Sequence, residues 1–300
     1  MPQFLDPTLD IAFKLLFTSG PDSDVTLRGL LTAVLSPPRP IVSVSVSVRN
    51  PLIAGVDVAD EGIALDVLVA LEDGTQIDIE MQSDKRPAFR DRTLFCWAEL
   101  FGGQLERGDD YGKLRPAVSV LLLDYRELPG DRIHSIYYVI ETHDSHRFSD
   151  VFEMHVIELP KLGLAAIASH RAGEDALRRW SNLFTAKTTD GANDPAMSDP
   201  AIQKARNILE RLSADPATQE LARQRQLAQQ TYRIELAAAL DEGEEKGRQR
   251  GQAGLRTAIV DLCEAHGIAL SPEHHAELAS LDFDGLDALR ARLKKDRRWA

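Results

Sequence analysis

Cysteine is scarce in this chain: 300 residues hold two, Cys96 and Cys263. Two widely separated thiols exclude a cysteine-built zinc cluster and a disulfide framework, and such usage suits a reducing cytoplasm. Long apolar runs are also missing. Stretches such as Val120 to Leu123 are far too short to cross a bilayer, so membrane insertion is not expected. The opening Met1-Pro2-Gln3-Phe4-Leu5-Asp6 has neither the basic run nor the apolar core of a secretory signal. There is no glycine-rich phosphate loop of the P-loop or dinucleotide type, and no long-period repeat. Excess positive charge is absent too. Thirty-five Lys and Arg against 47 Asp and Glu leave a formal net charge of −12, an argument against indiscriminate binding of nucleic-acid phosphates. What is present is 43% hydrophobic and 27% charged, an ordinary globular mixture long enough for one large domain or two modest ones.

The charge is uneven. Residues 1–165 carry 26 acidic and 15 basic side chains (net −11), and residues 166–300 carry 21 and 20 (net −1). The acidic half is also the strand-rich half. It begins with a helix signal, Asp6-Pro7-Thr8 as cap candidates followed by Leu9, Ala12, Phe13, Leu16 and Phe17 at helical spacing. A second helix is predicted from Asp24 to Leu35, ending at Pro37-Pro38. Ile41 to Val48 then alternates valine with serine, as a strand with one buried face does. Further strands are predicted at Ile63–Leu71, Gln76–Gln82, Ala117–Leu123, Ile136–Ile140 and His155–Leu159, with a long helix from Pro87 to Leu105. This order suggests an α/β sheet with crossover helices. After Pro160 the pattern turns helical: Asp175–Phe184, Ala201–Leu212 and Ala217–Leu240, with a polar loop at Thr188–Pro200. Glycine then recurs every fourth residue at 243, 247 and 251. The i,i+4 pairs Glu242/Lys246 and Glu244/Arg248 support a helix that the glycines weaken, so a marginal helix or hinge is expected. Thr257–His266 and Leu286–Lys295 complete a small helical module.

The chemistry lies in one hairpin. In Gln76–Gln82, Ile77, Ile79 and Met81 share a face, leaving Gln76, Asp78, Glu80 and Gln82 opposite. In Leu65–Leu71 the odd positions are aliphatic and Asp66 lies on the other side. A two-residue Asp73-Gly74 turn would pair Asp66 with Met81 and mix apolar with polar on each face. A three-residue loop with a left-handed glycine brings Asp66, Glu80 and Gln82 together, and burial of the aliphatic set selects it. Two adjacent carboxylates repel unless protonated or neutralised. Hard oxygens at that spacing suit Mg²⁺ or Mn²⁺, which stabilises charge on a phosphodiester and acidifies a bound water, with Gln82 placed to orient it. A solvated polar face carrying scattered acids accounts for the same pattern.

Three segments occur in a family's order: Asp6-Pro-Thr-Leu-Asp-Ile-Ala-Phe-Lys-Leu-Leu-Phe17, Leu65-Asp66 with Ile79-Glu-Met-Gln82, and Gly108-Asp-Asp-Tyr-Gly-Lys-Leu-Arg-Pro-Ala-Val-Ser-Val120. Together with Glu242-Gly-Glu-Glu-Lys-Gly247, they resemble the Rpn family of recombination-promoting nucleases, also called transposases, of the PD-(D/E)xK superfamily, over about residues 4–250. The resemblance implies a restriction-endonuclease-like α/β core with a helical C-terminal extension. It also implies a Mg²⁺- or Mn²⁺-dependent DNA endonuclease, with Asp66 and Glu80 as metal ligands and Gln82 in the place usually held by lysine. A neutral glutamine cannot supply lysine's charge, so another cation or the metal must; Lys85 and Lys14 are candidates. The expected division is a nuclease core at 1–165, a helical extension and hinge at 166–250, and a C-terminal module at 251–300. The rival reading is a catalytically inactive nuclease-fold protein that works through its helical C-terminal half, where self-association would also be expected.

Lys85, Arg86, Arg90 and Arg92 form the one compact basic cluster beside the proposed site. They read equally as contacts to DNA phosphates or as a helix start balanced by Asp84 and Asp91. Asp10 and Lys14 read as a surface i,i+4 pair, with Asp10 also a possible metal-site neighbour by the resemblance. Phe13 and Phe17 read as core, and Tyr111 as packed before its strand. His143, His146, His274 and His275 lack an evident third metal partner.

Overall fold

The computed structural model describes residues 4–37, 40–48, 67–162, 174–186 and 198–299. Among them lie two helices, α1 (Asp10–Thr18) and α2 (Ser23–Leu35), then strands β1 (Val44–Val48), β2 (Val67–Leu71) and β3 (Gln76–Gln82). Helix α3 (Phe89–Gly102) leads to β4 (Ala117–Leu123), β5 (His134–Tyr137) and β6 (Phe152–Glu158). Helices α4 (Glu174–Thr185), α5 (Pro200–Ala214), α6 (Pro216–Ala265), α7 (Pro272–Ser280) and α8 (Phe283–Asp296) follow. The chain divides into two compact units, residues 1–228 and 229–300.

The first unit is built on a mixed six-stranded sheet in the order β1-β2-β3-β4-β6-β5. Pairings β3–β4 and β4–β6 are parallel, and the outer ones are antiparallel. Parallel neighbours need a long crossover, and α3 supplies it between β3 and β4. Both faces are covered, so the central strands are apolar on both sides: every residue of β4 is buried. One face carries Val67, Val69, Ile77, Ile79, Met81, Val118, Val120, Leu122 and Ile157 into a core shared with α1, α2, α4 and α5. Phe13 and Phe17 sit in that core edge to face, centroids 4.9 Å apart. Gly29 of α2 lets α5 approach closely: a Cβ there would lie 2.3 Å from that of Ala201. The other face packs Leu121, Leu123, Phe152, Met154 and Val156 against Phe89 and Trp97 of α3.

The β2–β3 register is Val67↔Ile79, Leu68↔Asp78, Val69↔Ile77 and Ala70↔Gln76. The Leu71 N–H donates to the Thr75 carbonyl (2.9 Å), leaving the three-residue loop Glu72-Asp73-Gly74. Gly74 adopts φ +86, and Asp73 Oδ1 accepts from the Thr75 N–H (2.9 Å). The loop length follows the burial argument, against the two-residue turn that an Asp-Gly pair suggests.

Several local expectations are corrected. Asp6 does not cap α1. Its carboxylate accepts from the N–H and hydroxyl of Thr8, and the cap position is Leu9. The strand expected at Ile136–Ile140 is β5, two residues earlier, and Ile140 makes only an isolated bridge to Arg147. Tyr111 is exposed, not packed. Lys14 is buried and not on the surface, and Asp10 binds Arg225 of α6 (Nε to Oδ2 2.6 Å). The glycine-rich segment 242–251 is α-helical, the helix of the two expected alternatives. Glu242 pairs with Lys246 (2.5 Å), whereas Arg248 takes Glu245 in place of Glu244. These contacts offset part of the glycine penalty, of order 1 kcal/mol per residue. The loop expected at Thr188–Pro200 lies largely outside the described residues, and Pro200 already begins α5.

The second unit has its own core: Ile259 and Cys263 of α6, Leu278 of α7, and Leu286, Leu289 and Leu293 of α8. Helix α7 has no counterpart among the predicted elements, although Ser271 caps it through a reciprocal bond with His274. No helix among the described residues is long and apolar enough to cross a membrane.

Candidate active site

Three parallel strands end level with one another, because the register aligns Gln82 of β3 with Leu123 of β4 and Leu123 with Glu158 of β6. Alternation puts Glu80 and Gln82 on the α3 side of the sheet, where the first helical turns supply Arg92. Open α/β sheets characteristically place ligand chemistry at these carboxyl ends.

Arg92 is the centre of the arrangement. Its Nη2 donates to Glu80 Oε1 at 2.7 Å and to Gln82 Oε1 at 3.1 Å. The Glu80 side chain is 13% exposed and that of Arg92 30%, so this pair is only partly screened by water. Accepting from Arg92 also fixes the Gln82 amide, since a flipped amide would turn its NH₂ toward the guanidinium. Gln82 Nε2 therefore points elsewhere. It is buried with no hydrogen-bond acceptor among the described residues. Such a donor is costly unless something occupies the space before it. Asp78, also buried, lies one step behind on the same face.

Tyr125, two residues past β4, is not marked by any sequence pattern. Its hydroxyl is buried without a partner among the described residues. Burial, then the charges of Glu127 and Glu80, push its pKa well above the ordinary phenol range, while Arg92 and Arg86 pull the other way. The phenol is thus held as a neutral donor. The one signal for it is positional: Asp124-Tyr125 directly follows an apolar strand ending beside Gln82, and the Asp124 N–H donates to the Gln82 carbonyl (3.0 Å).

Glu127 is equally silent in the sequence. Lys85 Nζ lies 3.0 Å from its Oε2, and Arg90 Nε lies 3.2 Å from its Oε1. Lys85 and Arg90 thus pair with Glu127, and Arg92 with Glu80, carboxylates distant in sequence from the helix start. Arg86 contributes to the field at Tyr125. Glu127 is held from behind by a buried ion pair. Glu158 Oε1 accepts from the N–H groups of Glu127 (2.7 Å) and Leu128 (3.0 Å). Glu158 Oε2 meets Lys161 Nζ at 2.5 Å, and that ammonium also donates to the Leu128 carbonyl (2.9 Å).

Asp66 lies outside the described residues. The hard-oxygen donors described at the site are the Glu80 carboxylate and the Gln82 carbonyl, a donor chemistry that suits a divalent cation. A separate group, Glu141, Asp144 and His146, brings its ligand atoms within 4.8 Å of one another, so His146 does have partners in Asp144 and Glu141. That group is on the surface, and Glu141 already closes its turn: the N–H of Asp144 and the His143 ring hold its carboxyl below the usual range. His274 accepts from the Ser271 N–H in the α7 cap and stacks on Trp299.

A family model described as PD-(D/E)XK nuclease family transposase matches residues 7–239. No curated protein and no solved structure matches the chain.

Proposed function

Because the chain belongs to the PD-(D/E)XK nuclease family transposases, we propose that it is a divalent-metal-dependent DNA endonuclease whose site is built on Glu80, Gln82 and Asp66. The observation that carries this reading is the shared Arg92 bond to Glu80 and Gln82, with the Gln82 amide donor buried and without an acceptor. Asp66 and Glu80 would hold Mg²⁺ or Mn²⁺, which when bound screens phosphodiester charge and lowers the pKa of water.

The chain's own residues divide the remaining work. Gln82 Nε2 donates to a phosphate oxygen or to the attacking water. Arg92 supplies the fixed positive charge that a neutral glutamine lacks. Tyr125 keeps its proton and offers a second neutral donor. Lys85 and Arg86 approach the phosphate backbone, with Lys85 and Arg90 released from Glu127 to the extent that DNA competes for them. Promotion of recombination, a cytoplasmic setting and self-association through the helical C-terminal half belong to the same proposal.

Supercoiled plasmid incubated with the full chain should be nicked with Mg²⁺ or Mn²⁺ and left intact in EDTA. Cleavage unaffected by chelation overturns the metal requirement. No cleavage with either ion, together with no calorimetric binding of Mg²⁺ at millimolar concentration, favours the non-catalytic protein that works through its C-terminal half.

A further inference from the structure

Beside the candidate site Lys85, Arg90 and Arg92 already pair with Glu127 and Glu80, so in an acidic protein phosphate-binding charge beyond that cluster would strengthen its hold on DNA. The second unit has it. Residues 229–300 hold eleven basic and thirteen acidic side chains, yet six of the eleven fall within residues 290–298. Arg290 pairs with Asp287 (2.6 Å). Arg292, Lys294, Lys295, Arg297 and Arg298 are exposed, and none makes an ion pair among the described residues. Cations in a last helical turn complement the helix dipole, but Lys294 and Lys295 already do so.

This basic turn is a built surface, not a loose tail. Arg297 closes α8 at φ +50, a left-handed conformation uncommon outside glycine, with its N–H on the Leu293 carbonyl at 3.0 Å. Two residues on, Trp299 packs on the module core, donates its indole N–H to Glu277 (3.0 Å) and stacks on His274 with centroids 4.4 Å apart. Arg297 and Arg298 are thus fixed from both sides. Leu286, Leu289 and Leu293, the apolar side of α8, are buried in that core, and the exposed Phe283 begins the helix at the end opposite the cations, an arrangement that does not favour insertion into lipid.

We propose that the C-terminal end of α8, through Arg292, Lys294, Lys295, Arg297 and Arg298, is a DNA-backbone contact surface. Phosphates are recognised there by charge, without base readout. The inference rests on the nuclease reading only for the identity of the polyanion.

The test uses the full chain and a fluorescently labelled 20-base-pair duplex in EDTA, so that binding is measured without cleavage. Anisotropy titrations across NaCl concentrations give the salt slope of log affinity. The triple variant Arg292→Glu, Lys295→Glu, Arg298→Glu should bind at least ten-fold more weakly at 50 mM salt. Its slope should be shallower by about two to three, near one for each phosphate that is no longer neutralised. The neutral set Arg292→Gln, Lys295→Gln, Arg298→Gln should fall between variant and parent, and it guards against misfolding by charge reversal. Unchanged affinity and slope in both sets overturn the proposal, as does loss of binding to phosphatidylserine vesicles with DNA binding intact. Cleavage by Glu80→Gln is scored separately. If that variant cleaves normally while the α8 slope falls, the surface stands and the nuclease site fails. If the slope is unchanged, the surface fails whatever Glu80 does.

Discussion

Glu80→Gln should lower Mg²⁺-dependent plasmid nicking at least about 100-fold, the scale seen when an electrostatic stabiliser is removed from a preorganised site. Glutamine keeps the shape and still accepts from Arg92 through its carbonyl, so fold and local packing survive while one hard anionic ligand is lost. Asp66→Asn should act in the same direction. The measurement is initial nicking rate across a Mg²⁺ titration, and rates within about three-fold of the parent at every concentration would sink the assignment of Glu80. Arg92→Gln separates the two roles of the site with opposite signs. Arg92 neutralises Glu80 at 2.7 Å and so competes with any cation. Removing it should lower the Mg²⁺ concentration for half-maximal rate while cutting the maximal rate about ten-fold or more. Arg92→Lys should recover part of that rate, since the charge remains but the planar fork reaching both Glu80 and Gln82 is gone. A structural role alone would change the maximal rate without shifting the Mg²⁺ midpoint.

Lys161→Met should be the most damaging single change to stability. The Lys161 and Glu158 side chains are 1% and 0% exposed, so methionine would strand a buried carboxylate. Breaking such a pair costs roughly 3–5 kcal/mol, or a fall in melting temperature of about 10 °C for a unit of this size. The double variant Glu158→Gln, Lys161→Met should recover much of the loss, because neutral glutamine still accepts from the Glu127 and Leu128 N–H groups. Urea unfolding of the parent, Lys161→Met, Glu158→Gln and the double variant closes the cycle, and a cost of Lys161→Met below about 1 kcal/mol would refute the role of the pair. The same substitution should loosen residues 125–128, and with them the carboxylate that takes Lys85 and Arg90.

The elements of the sheet are largely legible from local pattern. β3 and β4 have the bounds their residues predict, because each is a short apolar or alternating run between turn residues, and period-2 alternation is a property of the strand itself. The three-residue loop follows from the same source, since any other register would expose the aliphatic face of β2 and β3. β5 lies away from its predicted place because its residues are only half buried, which leaves little hydrophobic pattern to read.

Pairing among charges is another matter. Lys85, Arg90 and Arg92 read as a helix start balanced by neighbouring aspartates, yet their observed partners come from β3 and from the turn after β4. Asp10 reads as a partner of Lys14, four residues away, and is held by Arg225, 215 positions along the chain. Tyr125, Glu127 and the Glu158–Lys161 pair leave no periodic trace. Backbone periodicity is short-ranged and is written residue by residue, whereas a salt bridge needs only that two side chains meet in space. The order of strands, by setting β4 between β3 and β6, is what brings Gln82, Tyr125 and Glu158 to one end of the sheet. The sequence carries the faces of the strands and the identity of the acids, and the packing of distant segments decides which charge each acid faces.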